Sequence, residues 1–408
     1  MTFHGSRWVG EITGIPLELN ELLDFHLGFL REDILPWWTQ YALDRECGGL
    51  FSCIQDDGAV VSTDKYVWSQ ARGLWTFSGA CNRIEARREW LEGADTVWKL
   101  LRDHGQTESG RWMFRTDRQG NEIEGPVSIQ TDAFAIAGLV EYAQASATEE
   151  PLLMACRTAD AVLDCLSRPG SYTTEPYPLP ETMKAHKVAM QFSLAFRELA
   201  RATGNSRYAA ASEKLTREVL EVYWRPEWKC VVEYRHLDDS EVAGPMGSYA
   251  SPGHGYETGW YQLENLRGED RPEWKETACQ IIRHSLALGW DQVYGGLFLG
   301  TDARGGVPHF ENWETKIWWP ATEAFCALLM AFEETGDVQF LEDYQKIHNW
   351  AFEHFTSPHG EWTQRLSREG KPLNRVVALP VKDPFHLPRG IIYSIEALER
   401  IRQGQPEN

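Results

Sequence analysis

Apolar residues recur at helical spacing in twelve separate stretches of this 408-residue chain. The predicted helices cover residues 17–42, 65–82, 88–104, 129–146, 151–167, 186–203, 206–223, 255–267, 273–288, 315–334, 338–355 and 386–402. Several of them carry apolar residues on more than one face, as the run from Ala133 to Val140 does. A helix that is apolar nearly all round is covered on several sides, so we expect a large helical core.

A second pattern lies between these helices: a glycine-rich entry, then alternating apolar residues, then a polar turn. Four clear copies and two weaker ones lie about 60 residues apart. The clear copies are 48–58, 110–120, 295–305 and 360–370, and the weaker ones lie near 171–178 and 228–239. An alternating stretch that ends in Asp or Gly predicts a short β-hairpin. The chain is therefore predicted to consist of six units, each with two helices and one hairpin.

Six helical hairpins in series form either an open solenoid or a closed ring. A solenoid needs polar caps at its ends, whereas the last predicted helix, with its run from Ile391 to Leu398, is as apolar as the others. We therefore predict an all-α fold, an (α/α)6 barrel of six helical hairpins with short β-hairpins in the connections at one end. No linker interrupts the run, so residues 1–408 are predicted to form a single domain, with only Gly404 to Asn408 disordered.

Composition narrows the classes of function. The formal net charge of −20 argues against nucleic acid, which requires a basic surface. A neutral ligand fits better than a phosphorylated one, which would need a local basic pocket. No apolar run approaches the length of a membrane span, and Met1 to Leu17 lacks the segments of a signal peptide. The eight cysteines form no CxxC pair and are expected to be free thiols in a reducing cytoplasm.

Polar residues gather at the starts of the six helices that follow the hairpins. These starts contain Lys65–Arg72, Gln130–Asp132, His186–Gln191, Ser251–Glu257, Glu314–Glu323 and Lys382–Arg389. In a ring they lie at one end of the barrel, so their side chains converge on one cavity. The chain also has 18 tryptophans, whose large, rigid faces stack well on sugars. These features favour a cavity that binds a carbohydrate.

Two histidines stand out among these polar residues. His254 and His386 each have a charged residue three positions later, Glu257 and Arg389, on the same face of a helix. Imidazole exchanges protons near neutral pH, so an acid/base pair is the favoured interpretation. The alternative is a metal site made by His254, His386 and Glu257, although the chain has no HExxH motif.

Several of these residues also have a purely structural interpretation. His186 opens a helix and could serve only as a cap or a structural hydrogen-bonding group. Glu257 could be the salt-bridge partner of a core arginine, and Arg72 could stack on a neighbouring indole. Only one of the adjacent Trp318 and Trp319 is expected to face the cavity, because neighbouring positions on a helix point in different directions.

These motifs resemble those of the N-acylglucosamine 2-epimerase family, which includes N-acylglucosamine 2-epimerases, cellobiose 2-epimerases and aldose–ketose isomerases that act on mannose. The motifs span nearly the whole chain in the expected order: Lys65–Arg72, Pro252–His254 with Glu257 and Trp260, Lys316–Pro320 with Glu323, and Phe385–Arg389. The resemblance implies an (α/α)6 barrel, an isomerase that acts on an aldose, and catalysis without a cofactor or a metal.

The resemblance also implies roles for individual residues. His254 and His386 match the two general acid/base histidines of the family. Arg72 matches the arginine that binds the carbonyl and enediolate oxygens, and Glu257 matches a glutamate that orients its neighbouring histidine. Six further residues are expected to bind the substrate: Trp68, Asp132, Gln191, Trp319, Glu323 and Arg389.

Two reactions fit this set of residues. A proton beside a sugar carbonyl is removable only if the enediolate is stabilised, and a cation in a water-poor site does this. Two histidines on opposite faces of the enediolate would invert C2 of a ring-opened monosaccharide, which is 2-epimerisation. One histidine that returns the proton to C1 would give a ketose, as in an isomerase of the mannose/fructose type. We take 2-epimerisation as the first hypothesis and isomerisation as its alternative.

The chain departs from the family's motifs at three positions. Val381 stands where cellobiose epimerases have a tryptophan that stacks on the second sugar, so we expect a monosaccharide. Ala321 stands where many N-acylglucosamine epimerases have a histidine, which argues against N-acetylglucosamine itself. Gln191 stands where some mannose isomerases have a further histidine, and His186 matches that position after a small shift. The chain has no GxxxxGK sequence, so we expect no regulation by a nucleotide.

Two other classes of function compete with this one. A glycoside hydrolase on the same barrel would need a carboxylate pair at a defined separation, for which Asp132, Glu257 and Glu323 are the candidates. A non-catalytic binding protein would keep the cavity but exchange no sugar proton. The remaining expectations are a monosaccharide as ligand, neither nucleic acid nor membrane as partner, a homodimer as a candidate assembly, and a cytoplasmic location.

Overall fold

The computed structural model describes residues 19–168, 170–373 and 379–404, and the twelve predicted helices are present in this part of the chain. Helix α1 continues through Leu19–Gly28, Phe29–Ile34, Leu35–Trp37 and Trp38–Ala42. The others are α2 (Val67–Arg83), α3 (Arg88–His104), α4 (Ile129–Ser146), α5 (Glu150–Leu166), α6 (His186–Thr203), α7 (Ser206–Glu218, extended by Val219–Tyr223), α8 (Pro252–Asn265), α9 (Pro272–Gly289), α10 (Trp318–Thr335), α11 (Gln339–Phe355) and α12 (His386–Gly404). Position 17, the predicted start of α1, and positions 405–408 of the predicted disordered tail lie outside the described residues.

The even-numbered helices form a closed inner ring, and the odd-numbered helices surround it. Each inner helix contacts the next one along the chain, and α12 contacts α2. Each also packs on the outer helix that follows it, while α12 packs on α1 at the other end of the chain. The (α/α)6 barrel expected from the sequence is therefore confirmed.

The pattern of apolar residues explains which helices are inside. Helix α10 buries every residue from Pro320 to Ala331. It packs against two inner neighbours and an outer helix, and its remaining side faces the interior of the barrel. The outer helix α3 buries a single stripe: Trp90, Gly93, Ala94, Val97, Trp98, Leu100 and Leu101. Its remaining positions face solvent, as expected of an amphipathic helix on a surface.

Short strands occupy the connections that lead into the inner helices. They are β1 (Cys53–Ile54), β2 (Val60–Ser62), β3 (Lys65–Tyr66), β4 (Arg115–Thr116), β5 (Glu122–Glu124), β6 (Met183–Ala185), β7 (Trp224–Arg225), β8 (Cys230–Val231), β9 (Tyr234–His236), β10 (Tyr249–Ala250), β11 (Thr301–Asp302), β12 (Lys316–Ile317) and β13 (Arg365–Leu366).

The prediction of one hairpin in each connection is only partly right. Hairpins form between β1 and β2, β4 and β5, and β7 and β8. Four other pairings, β3–β4, β6–β9, β10–β11 and β12–β13, join the strand before an inner helix to a strand of the following unit. Ser128 pairs with Thr174 in the same way. The amide of Lys382 donates to the carbonyl of Ser52 over 2.8 Å, which joins the last unit to the first.

A buried lysine–aspartate pair recurs in two of the units. Lys316 donates to Asp291 over 3.2 Å, and Lys65 donates to Asp44 over 3.0 Å. Burial lowers the pKa of Lys316 to about 8. Burial acts to raise the pKa of Asp291, but hydrogen bonds from Arg368 and Lys316 outweigh it and lower this pKa to about 2. The pair fixes the glycine-rich entry, because Lys316 also donates to the carbonyl of Gly296.

Two further findings concern the whole described chain. Among the described residues, no helix combines the length and the apolar character that a membrane crossing requires. All eight cysteines lie in the described ranges and are unpaired. The prediction of one domain from residue 1 to residue 408 reaches beyond those ranges and stays a prediction.

Replacing Asp291 by Asn should lower the free energy of unfolding by about 3–5 kcal/mol, because it leaves the buried Lys316 without a counter-charge. Urea unfolding at neutral pH measures this loss. The matched control is Asp164→Asn on α5, which removes an exposed pair with Arg168. It should change stability by no more than about 0.5 kcal/mol. Equal effects of the two substitutions would contradict the role of the buried pair.

Candidate active site

A cavity of about 290 Å³ opens at the end of the barrel where the inner helices begin. Because each inner helix starts at this end, each contributes side chains from its first turns. The helices provide Trp68, Arg72, Gln130, Thr131, Phe134, Lys187, Gln191, His254, Glu257, Trp318, Trp319 and His386. The connections add Glu175, Tyr177, Glu233, Tyr234, Tyr249, Phe310, Arg365, Val381 and Asp383, among others.

His254, in the first turn of α8, is held by a buried carboxylate. Its Nδ1 lies 2.8 Å from Oε1 of Glu233, so the proton is on Nδ1 and Nε2 is the free nitrogen. Burial lowers the pKa of His254, but the charge of Glu233 outweighs it and raises this pKa above 6.5. Burial likewise raises the pKa of Glu233, and the charge of His254 more than offsets it. The two shifts agree, because each group stabilises the charged form of the other.

The backbone and a second histidine hold Glu233 in place. Its amide donates to the carbonyl of Tyr249, and its own carbonyl accepts from the amide of His186. The imidazole of His186 is fully buried, lies 4.0 Å from the Glu233 carboxylate and is hydrogen bonded to Thr258. Burial lowers the pKa of His186 to about 4. This histidine is therefore a neutral support behind Glu233 and does not line the cavity.

His386, the first residue of α12, has an equivalent carboxylate partner on the neighbouring inner helix α10. Its Nδ1 lies 2.6 Å from Oε1 of Glu323, which again leaves Nε2 as the free nitrogen. Glu323 is fully buried and also accepts from the indole of Trp260 over 2.7 Å. Burial raises the pKa of Glu323, but the charge of Arg389 and the bond to His386 lower it overall.

Arg389 lies beneath the cavity wall and joins three inner helices. It donates to Glu323 over 2.7 Å and to Glu257 over 2.9 Å, and it is also hydrogen bonded to the hydroxyl of Tyr261. Tyr261 donates in turn to Glu257 over 2.8 Å. The guanidinium thereby compensates two buried carboxylates at once.

Arg72 is fixed by stacking and by one carboxylate. Its guanidinium carbon lies 3.9 Å from the ring centre of Phe134 and 4.6 Å from that of Trp68, and Nη1 donates to Asp383 over 2.9 Å. Asp383 also accepts from the amide of His386 over 2.8 Å, which caps α12. One aspartate therefore positions both the cation and the second histidine.

An indole lies between the two histidines. The ring centre of Trp319 is 5.1 Å from that of His254 and 5.7 Å from that of His386. Trp318 also lines the cavity, so the expectation that only one of the two indoles faces it is wrong. Both indoles lie at the start of α10, directly after strand β12, and together they form this side of the wall.

The structure brings most of the predicted site residues together and leaves three away from the cavity wall. The residues on the wall are His254, His386, Arg72, Glu257, Trp68, Gln191 and Trp319. Glu323 and Arg389 are buried behind it and bound to each other. Asp132 is fully buried and receives hydrogen bonds from Arg111 at 2.8–3.1 Å. The expectation that Asp132, Glu323 and Arg389 contact the substrate is therefore corrected: these residues support the wall from behind.

The orienting role expected of Glu257 also needs correction. Glu257 is hydrogen bonded to Tyr261 and Arg389, and the partner of His254 is Glu233. The reason is geometric: the side chains of positions 254 and 257 share a helix face, but Arg389 from α12 already binds the carboxylate of Glu257. The structural interpretation of Glu257 as the partner of a core arginine therefore agrees with its contacts.

Sequence reasoning missed five charged residues of the wall: Glu175, Glu233, Asp383, Lys187 and Arg365. A signal was present for two of them. Glu233 interrupts an apolar alternation, which is unusual for a charge unless it is paired. Asp383 is followed by Pro384, a common signature of a helix start. For Glu175, Lys187 and Arg365 the local pattern gives no indication that they face a cavity.

Two groups of side chains have the residue types of a metal site. They are His186, Glu233 and His254, and Glu257, Glu323 and His386, with potential ligand atoms within 4.8 Å of one another in each group. The second group already surrounds the guanidinium of Arg389, whose charge opposes a metal ion. The predicted site of His254, His386 and Glu257 is divided between the two groups. The expectation that no metal or cofactor takes part stays a prediction.

Comparisons with known proteins give a consistent result. Residues 49–387 match the family model for N-acylglucosamine 2-epimerase. The N-acylglucosamine 2-epimerase of Mus musculus is 29% identical over 376 residues, which cover 87% of each chain. The structure of cellobiose 2-epimerase from Spirochaeta thermophila superposes with a TM-score of 0.82 at 23% identity, over 96% of this chain and 100% of that one. A D-mannose isomerase structure superposes with a TM-score of 0.79 at 20% identity, over 95% and 99% of the two chains.

Replacing Glu233 by Gln should move the acid limb of any activity that uses neutral His254 to lower pH. The carboxylate raises the pKa of His254, so its removal lowers the pH below which this histidine is protonated. The rate should also fall roughly 10–100-fold, because the ring loses its orienting partner. The pH profile of kcat/KM measures both effects.

Glu227→Gln is the matched control for this substitution, because Glu227 lies in the same connection but its carboxylate is about half exposed. It should leave the profile unchanged. An acid limb that stays in place or moves to higher pH in Glu233→Gln would contradict the assignment of Glu233 as the partner of His254.

Proposed function

The chain belongs to the N-acylglucosamine 2-epimerase family, and from this premise we propose that it is a cofactor-free sugar 2-epimerase acting on a ring-opened monosaccharide. Membership makes the chain an enzyme of the sugar epimerase and isomerase class. The observation that carries the finer proposal is the pair of histidines on one cavity. Each has its Nδ1 bound by a buried carboxylate and its Nε2 free of any hydrogen bond to a described residue.

The proposed reaction begins with the open-chain sugar bound by its carbonyl to Arg72. The Nε2 of one histidine takes the proton from C2, and the electron pair of the C–H bond forms a double bond between C1 and C2. The π pair of the carbonyl group moves to its oxygen, which becomes part of an enediolate. Arg72 stabilises this negative oxygen. The second histidine gives a proton to C2 from the other face, and the carbonyl re-forms with C2 inverted.

The carboxylate partners support both histidines during these transfers. A histidine that gains a proton on Nε2 becomes an imidazolium, which the carboxylate at Nδ1 stabilises. The two partners differ, because among the described side chains only His254 is hydrogen bonded to the Glu233 carboxylate, whereas Glu323 is shared by His386 and Arg389. Such an unequal pair suits a reaction in which one histidine gives a proton and the other takes one.

The glycoside hydrolase alternative has less support. Of its three candidate carboxylates, only Glu257 lines the cavity, and its Oε1 is bound by Arg389 and Tyr261. Asp132 is held by Arg111 and Glu323 by Arg389. A carboxylate pair facing one substrate, which the hydrolytic reaction needs, is therefore not available from these three residues.

Exchange in heavy water tests the proposed reaction and separates it from isomerisation. A panel of aldoses is incubated with the enzyme and read by NMR. Deuterium at C2 together with the C2 epimer supports the 2-epimerase, whereas deuterium at C1 of a ketose identifies the isomerase. Hydrolysis of aryl glycosides without exchange would favour the hydrolase instead.

The substitutions His254→Asn and His386→Asn should each lower the exchange rate by roughly 10²–10⁴-fold, the usual contribution of a general acid or base. His359→Asn is the control, because this histidine lies outside the cavity lining. If either cavity variant interconverted the two epimers at the rate of the unaltered enzyme, the two-histidine mechanism would be wrong.

Replacing Arg72 by Lys should lower kcat by roughly 10²–10³-fold, because the guanidinium that meets the developing oxygen charge is lost. KM should change less, since the charge stays in the cavity. Steady-state rates on the best aldose measure the split. The control is Arg88→Lys on the exposed face of α3, and equal kcat values for the two variants would contradict the role of Arg72.

A further inference from the structure

The cavity wall carries a guanidinium that the proposed reaction does not use. Arg365, on strand β13, donates from Nη2 to the carbonyl oxygens of Leu379 over 3.1 Å and of Val381 over 2.7 Å. Its Nε and Nη1 have no hydrogen-bond partner among the described residues. Because Arg365 lines the cavity, these donors are available to a bound molecule.

Within the described ranges, Arg365 also has no carboxylate at ion-pair distance. Burial lowers the pKa of Arg365, and the one carboxylate whose charge acts against this effect is Asp56. That carboxylate is already bound, by Lys382 over 2.7 Å and by Thr363 over 3.0 Å. A partly buried arginine without a counter-ion is unusual, since burying a charge is costly unless it is paired.

Arg72, the other arginine on the wall, shows the contrast. It is neutralised by Asp383, two residues beyond the Val381 carbonyl that Arg365 binds. The same short segment therefore positions both guanidinium groups on one side of the cavity. Arg72 is committed to its carboxylate, and Arg365 is not.

Lys187 is the third cation of the wall and a weaker candidate for binding an anion. It makes no ion pair within the described ranges, but the charges of Glu233 and Glu175 both act on it. Burial lowers the pKa of Lys187 to about 8, so a fraction of it is neutral near that pH. Two carboxylate charges thus act on Lys187 from within the cavity wall, whereas among the described residues only Asp56, which is already bound by Lys382, acts on Arg365.

We propose that the substrate is an acidic monosaccharide, an aldose that carries a carboxylate or a phosphate away from C1 and C2, and that Arg365 selects it. The inference rests on the proposed function, which supplies the sugar and the reacting carbons. It revises the expectation of a neutral ligand drawn from the net charge of −20. That expectation allowed an anion only if a local basic group were present, and Arg365 is such a group.

Matched neutral and acidic sugars test this selectivity. Exchange in heavy water is measured for D-glucose, D-glucuronate and D-glucose 6-phosphate, and for the three corresponding mannose compounds. We expect kcat/KM to be at least about tenfold higher for one acidic member of a set than for its neutral parent, in line with a charge-assisted hydrogen bond. Preference for the uronate or for the phosphate distinguishes the two acidic groups.

Variants of Arg365 assign the preference to this residue. Arg365→Gln should raise KM for the preferred acidic sugar by roughly 10–100-fold and should change kcat and the constants for the neutral parent far less. Arg365→Lys keeps the charge and should retain most of the preference. The matched control, Arg88→Gln on the exposed face of α3, should retain all of it.

Three outcomes would overturn the inference. Exchange on neutral sugars with no gain for any acidic one removes it and leaves the proposed function intact. Equal loss on neutral and acidic sugars in Arg365→Gln would mean that the residue only supports the segment around Val381. No exchange on any sugar would overturn the proposed function and this inference together.

Discussion

Each inner helix of the barrel starts directly after a short extended segment whose backbone is hydrogen bonded to the next unit of the ring. The last of these contacts, from Lys382 to Ser52, returns to the first unit. Backbone hydrogen bonds tolerate little displacement, so the six helix starts are fixed relative to one another at one end of the molecule. The first turns of these helices therefore surround the barrel axis, and their side chains form the wall of the cavity.

This arrangement forces charged groups into a poorly hydrated space, where those around the two histidines are paired with one another. Arg389 of α12 binds Glu257 of α8 and Glu323 of α10, and Glu323 binds His386. Removing Arg389 would leave the buried Glu257 without a charged partner, which costs several kcal/mol. The pairing therefore makes the wall rigid, and rigid support is what an acid/base histidine needs to keep one tautomer and one orientation. Tyr261 joins the same network through its hydroxyl.

The sequence predicted the elements far better than the contacts between them. Helical periodicity is a local property, so the described helix ends lie within three residues of their predicted positions. Strand partners belong to the next unit and could not be found locally. The same limit applies to the site. His254 was recognisable from its helix start, but its partner Glu233 comes from a preceding connection, whereas the nearer Glu257 belongs to Arg389. Asp132 also lies at a helix start, but its carboxylate is bound by Arg111 from the connection before α4, and the local pattern does not indicate this contact.

The convergence of six helix N-termini also accounts for the electrostatics of the cavity in a protein with a net charge of −20. Each start carries a partial positive charge and unsatisfied amides, and the carboxylate of Asp383 reports their effect. Burial raises its pKa, yet the charge of Arg72, the charge of His386 and the amide of that residue lower it overall. A buried carboxylate kept ionised by an arginine and a helix start is chemically close to an enediolate oxygen. The groups that hold a negative oxygen at Asp383 would therefore stabilise one on a sugar bound beside it.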